Sequence, residues 1–294
     1  VIVRRPDVID FTQTYRTPDF EASGMYATIP RDVLTVIGNE VIEAPMAWRS
    51  RFFEYRAYRS LMKDYFYQGA KWTAAPKPTM ADALYDAEYV SKSATERHAL
   101  TETGLQYVTT EFEPCFDAAD IMRCGRDLFM QRSQVTNRLG IRWLREQVGD
   151  RFRVHELTFQ DQNPVHIDAT LVPLRPSLAL TNPERPCHQA EIFKKARWDL
   201  VEAVPATIPG NWKMPIATKW LSMNILILDP ERALVEKHEE PMQHLLKDLG
   251  FQVITLPFRN VYSFGGSFHC VTCDIRRNGQ LGDYGFSDPS ENDT

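Results

Sequence analysis

The sequence holds no apolar run near the ~20 residues that a membrane-spanning helix requires, and its longest candidate, Leu221 to Leu228, reads as a strand. No signal peptide opens it, and it begins at Val1 rather than Met, which points to a trimmed N-terminus. Dense basic runs are missing as well. With 34 Lys+Arg against 39 Asp+Glu, a net charge of -5, nothing marks the surface for nucleic acid or anionic lipid. Small molecules are therefore the default partners, with a homodimer left open. Cysteine is scarce: Cys115, Cys124, Cys187, Cys270 and Cys273 are odd in number and scattered. That pattern suits free thiols in a reducing compartment, with the cytoplasm expected, or the mitochondrion in a eukaryote. The single Cys-x-x-Cys has no second pair, so a closed zinc site is disfavoured, and no metal or organic cofactor is called for.

What the chain does contain is a repeat. Four times an apolar strand, a tight polar turn, a second strand, an amphipathic helix and a third strand follow one another. The first unit has Val33 to Ile37, a turn at Gly38-Asn39-Glu40, Val41-Ile42, a helix over Phe52 to Tyr67 and a strand Lys71 to Ala75. The second turns at Gly125-Arg126-Asp127, with a helix around Val135 to Gln147 and a strand Phe152 to Phe159. The third opens at His166 to Val172 and turns at Arg175-Pro176-Ser177, with a helix His188 to Ala196 and a strand Trp198 to Val204. The fourth runs from Ser222 to Leu228, turns at Asp229-Pro230-Glu231, and continues through Ala233 to Val235, Pro241 to Leu249 and Phe251 to Pro257. A fifth hairpin is expected at Phe268 to Arg276, and Val1 to Pro6 reads as the closing strand of that unit. A ring of ββαβ units is an α/β propeller, here with part of one blade missing. A polar, charged insertion from Ala81 to Gly104 interrupts the repeat; a lid and a solvated connection are the two readings its length allows.

Each unit carries polar groups where its first strand begins: Asp32, then Asp117 and Asp120, then His166 and Asp168, then Thr218 and Asn224, then Cys270. Any one of them is ordinary turn chemistry. Five sets around a ring converge on one point. Cys270 lies in Tyr262-Ser-Phe-Gly-Gly-Ser-Phe-His-Cys-Val-Thr-Cys273, behind two glycines that permit close backbone approach or simply a bend. It is either a buried inert thiol or a nucleophile, and the second reading needs a histidine and an acid. His166-Ile167-Asp168 offers both, and on a strand its two polar side chains share a face.

The runs Glu111 to Asp120, His166-Ile-Asp-Ala-Thr170, Asn182-Pro-Glu-Arg-Pro186, Ser267 to Arg277 and Glu43 to Tyr58 resemble the glycine amidinotransferase family. The resemblance covers nearly the whole chain and lacks the family's N-terminal start. It implies a single catalytic domain over residues 1–294 with the five-bladed, pseudo-symmetric, pentein-like β/α propeller. It further implies Cys270 as nucleophile, His166 as acid/base and Asp117 as its acidic partner. Donor binders fall on Asp32, Asp168 and Arg185, and on Ala217 and Thr218, where the family carries two serines. The implied reaction moves the amidino group of arginine to glycine through a covalent amidino-cysteine, giving ornithine and guanidinoacetate, a creatine precursor. Val165 and Ala217 depart from the family pattern and motivate another amine as acceptor. Hydrolysis of the arginine deiminase kind and a non-catalytic binding protein are the remaining alternatives.

Overall fold

The computed structural model describes residues 4–93, 96 and 106–289. Four three-stranded sheets repeat one topology. In each, the middle strand pairs antiparallel with the first and parallel with the third. Their strands are Leu34–Ile37, Glu40–Glu43 and Lys71–Ala74; then Ile121–Cys124, Asp127–Gln131 and Arg153–Leu157; then Leu171–Arg175, Leu178–Thr181 and Asp199–Glu202; then Leu226–Asp229, Arg232–Glu236 and Gln252–Leu256. The parallel pair in each sheet needs a crossover, which a helix supplies. These helices are Arg59–Tyr67, Arg138–Val148, Glu191–Lys195 and Glu240–Asp248. The sheets are the expected ββαβ blades, numbered one to four in chain order.

The hairpins turn where glycine and proline mark them, and Gly38 and Gly125 adopt left-handed φ of 61° and 63°. In blade one, both hairpin strands are buried at every position, whereas the third strand is partly exposed. Burial in this blade thus falls from the hairpin to the third strand. The apolar core lies between consecutive blades rather than at one centre. One cluster joins Ile42 and Met62 of blade one to Leu128 and Leu144 of blade two. A second joins Phe129 to Leu171 and Phe193 of blades two and three, and a third joins Leu180 to Val235 and Leu246 of blades three and four. Among the described residues, no helix is long and apolar enough to cross a membrane.

Several boundaries differ from the sequence expectation. The helix expected from Val135 begins at Arg138, because the Asn137 side chain accepts the Gly140 N–H at 2.8 Å and so starts it there. His166-Ile167-Asp168 is not strand: His166 has φ 57°, and Ile167–Ala169 form a 3₁₀ turn before the strand opens at Leu171. The strand expected from Leu221 begins at Leu226, after a 3₁₀ turn at Lys219–Met223. Short helical turns stand at the same place in all four blades: Pro30–Val33, Ala118–Asp120, Ile167–Ala169 and Lys219–Met223. The first is a single α-helical turn and the other three are 3₁₀ turns with i→i+3 bonds, and one turn leaves no periodic trace in a sequence.

The fifth hairpin, Phe268 to Arg276, does not form as strand. Side chains replace the ladder there. Asp274 is held by Arg31, Arg123 and Arg277, and Arg277 donates to the carbonyls of Ile227 and Leu228. Arg4 to Pro6 likewise form no strand, and Val1 to Val3 lie outside the described residues. The insertion carries a 3₁₀ turn at Asp82–Leu84 and a short helix at Ala87–Ser91, while most of its second half lies outside the described residues.

Candidate active site

The turns that open the blades bring their polar residues together with the segment around Cys270. Two groups of side chains result. In the first, the Cys270 thiol donates to Asp168 Oδ2 at 3.2 Å and accepts from Asn224 Nδ2 at 3.0 Å. Asp168 Oδ2 also accepts from Asn224 Nδ2 at 2.8 Å and lies 2.7 Å from His269 Nδ1. Burial would raise the Asp168 carboxyl, but the hydrogen bond of His269, whose imidazole burial pushes toward its neutral form, and the charge of His166 outweigh it and hold it down at about 2. The thiol moves the other way. Burial first, then the neighbouring carboxylates Asp168 and Asp32, push it well above its usual range. At rest, Cys270 is therefore a protonated thiol.

In the second group, His166 Nε2 lies 3.1 Å from Asp117 Oδ2, and its Nδ1 lies 3.6 Å from Asp32 Oδ1. Burial opposes a charge on the imidazole; Asp32 and Asp117 outweigh it and raise its pKa to about 10. His166 is thus protonated at neutral pH. Arg51 supplies a second cation. It forks onto Glu54 through Nε at 2.7 Å and a terminal nitrogen at 2.8 Å, and reaches Asp32 Oδ2 at 2.7 Å and Asp117 Oδ2 at 3.6 Å. Its guanidinium also lies over the Tyr26 ring, 5.0 Å from the centroid. One oxygen, Asp32 Oδ1, is buried without a hydrogen-bond donor. Buried carboxylate oxygens are seldom left so, and a ligand N–H would satisfy it.

Ligand atoms of Asp32, Asp117 and His166 lie within 4.8 Å of one another, a spacing that suits a metal ion. The Arg51 guanidinium is already paired with both carboxylates, and a dication beside it and a protonated His166 would meet strong repulsion. The set fits a planar organic cation better.

The two groups sense each other through space: His166 helps hold Asp168 ionised, and Asp32 helps hold Cys270 protonated. Five of the sequence-derived residues (Cys270, His166, Asp117, Asp32 and Asp168) are thus gathered. The other three are placed differently. Arg185 pairs through Nε with Asp161 at 3.0 Å, Thr218 caps the turn of blade four by accepting the Trp220 N–H at 3.2 Å, and Ala217 is exposed. Val165, beside His166, packs against an apolar cluster containing Phe20, Phe52 and Met80. Sequence reasoning gives no role to Arg51, Glu54, Asn224 and His269, although all four lie in motifs or repeat positions singled out above.

No family model matches the chain. Glycine amidinotransferase, mitochondrial, of Xenopus tropicalis is 57% identical over 284 residues, which cover 97% of this chain and 67% of that protein. The chain belongs to the glycine amidinotransferase family. L-arginine:L-lysine amidinotransferase of Pseudomonas savastanoi pv. phaseolicola is 48% identical over 97% of this chain and 76% of its own length. Among solved structures, an amidinotransferase of the saxitoxin biosynthetic pathway of Microseira wollei superposes with a TM-score of 0.86 at 46% identity, over 96% of this chain and 79% of that one. The fold is therefore the propeller of this family, and the protein is an amidino-transferring enzyme.

Proposed function

We propose that residues 1–294 act as one catalytic domain that moves the amidino group of L-arginine, through an amidino-cysteine on Cys270, to glycine. The observation that carries this reading is the pair of electrostatically coupled groups: a thiol hydrogen-bonded to a carboxylate in one, a protonated histidine between two carboxylates in the other. A guanidinium is planar, delocalised and charged at neutral pH, so its carbon is a poor electrophile until it is held and its leaving nitrogen protonated. Asp168 and the unsatisfied Asp32 Oδ1 suit its N–H groups. The incoming positive charge then lowers the thiol's pKa beside it, and the thiol proton leaves to solvent by way of Asp168 Oδ2, its hydrogen-bond acceptor. Cys270 Sγ bonds to the guanidino carbon, the bond from that carbon to the ornithine nitrogen breaks, and His166 gives that nitrogen its proton. Glycine replaces ornithine, its amine bonds to the carbon, the C–S bond breaks to leave a thiolate that regains its proton from solvent, and His166 takes the amine's proton. Asp117 keeps His166 oriented and charged throughout. Ping-pong kinetics follow, and the products are ornithine and guanidinoacetate.

Glycine is placed first because the relatives at 53–57% identity are glycine amidinotransferases, against 48% for the lysine-directed one. The test is mass spectrometry after incubation with arginine alone, with C270A as control. An amidino adduct absent from C270A and discharged by glycine is expected. Discharge by lysine but not glycine would move the acceptor, citrulline as product would make the reaction hydrolytic, and no adduct would sink the covalent route.

A further inference from the structure

Asn224 stands immediately after the turn of blade four and is 1% exposed. Its carboxamide has two acceptor and two donor positions, and all four are used. Oδ1 accepts the backbone N–H of Ser267 at 2.8 Å and of Cys270 at 3.1 Å. Nδ2 donates to Asp168 Oδ2 at 2.8 Å and to Cys270 Sγ at 3.0 Å. The Asn224 carbonyl also accepts the His269 N–H at 3.3 Å. The two backbone bonds fix which end of the carboxamide faces the sulfur, because only oxygen can accept from both N–H groups. A buried N–H is thereby aimed at the sulfur before any substrate arrives.

We infer that Asn224 is a catalytic residue: a fixed neutral donor that stabilises the Cys270 thiolate when it forms, while its oxygen holds the Ser267–Cys270 turn in place. Of the groups that hydrogen-bond Sγ, Asp168 opposes the thiolate and Asn224 favours it. A neutral donor suits a site that must also admit a cation. Asn224 opposes no guanidinium by charge, as a lysine in its place would. The role extends the amidino-cysteine reading, but its central claim, donation to a thiolate, stands on the thiol alone.

The test separates the two. N224D keeps an oxygen for the two backbone N–H groups and replaces the amide donor by a carboxylate, which also adds a charge beside the sulfur; N224L removes the donor and adds no charge. Alkylation of Cys270 by iodoacetamide, without arginine, is followed against pH. The expected result is a rise of about one unit in the pH midpoint and roughly a tenfold slower reaction at fixed pH in N224L, the size of one charge-assisted hydrogen bond, and a larger rise in N224D. An unchanged profile in folded N224L would overturn the inference. If N224L does not fold, wild-type protein labelled with ¹⁵N-asparagine decides the matter. One side-chain amide must then titrate with the thiol and lose that titration in C270A; if none does, the inference fails. A shifted alkylation profile in a protein that forms no adduct with arginine would keep Asn224's role and remove the transfer mechanism instead.

Discussion

At the scale of single residues, the site is an arrangement of buried charges that hold one another in place. Arg51 is the keystone: 2% exposed, it faces Asp32, Glu54 and Asp117. Removing one partner of such a buried set strands the others, so R51M should lose about 3–5 kcal/mol in urea denaturation. R51K keeps the charge without the fork and should fall between the two. Asp117→Asn leaves a neighbour for His166 but takes away its charge, and the imidazole's pKa should fall. Ornithine release in a single turnover should then slow by about 10²- to 10⁴-fold, with the alkaline limb of its pH profile moved to lower pH. An unmoved limb would mean that His166 owes its proton to Asp32 alone. The sequence pointed to Cys270, His166, Asp117 and Asp168 through the family's motifs and to Asp32 through its place at the start of a blade, and the structure gathers the five. The sequence hid Arg51 and Glu54, since an i,i+3 ion pair in an aromatic segment looks like an ordinary solvated helix face.

At the scale of elements, two glycines show how tightly the site is seated. Gly140, in the first turn of its helix, would on propensity alone gain roughly 1 kcal/mol from a change to alanine. Its Cβ, however, would sit 2.3 Å from the Cys115 carbonyl oxygen, two residues before Asp117. Backbone cannot yield as a flexible side chain does. Overpacking should win, so G140A should lose about 1–3 kcal/mol in urea denaturation, with activity falling further than stability. A stabilised, fully active G140A would show that the Cys115–Asp117 segment has slack. For Gly266, a Cβ would lie 2.5 Å from that of Cys270 and 2.9 Å from the sulfur. G266A should therefore fold and lose adduct formation, which mass spectrometry with arginine reads directly. The ββαβ order of blades one to four was legible because hairpin turns and amphipathic helices leave local signals. The helical turns that carry the site residues were not, because one turn has no period to detect. The fifth hairpin misled for a different reason: its alternating residues suit a strand, but Arg31, Arg123 and Arg277 bind them instead of a partner strand.

At the scale of the whole molecule, protonation of the site is linked to folding. His166 has a pKa of about 10 folded against an ordinary 6.5, so folding favours its proton. The stability it contributes is complete below about pH 6.5 and is lost as pH rises through about 10. Urea midpoints of the wild-type protein should fall across that window, and the fall should be smaller in H166Q. Equal slopes in the two proteins would place the dependence elsewhere. The same architecture has a consequence for how the enzyme comes into being. The Arg31 side chain meets the His269 carbonyl across 238 residues of sequence, and Cys270, the proposed nucleophile, follows the acids and His166 along the chain. On a ribosome the acids and the histidine emerge first and the nucleophile last. A nascent chain thus has no complete centre until the segment around Cys270 swings back to Arg31, and recovery of activity during renaturation becomes a clock for that long-range closure.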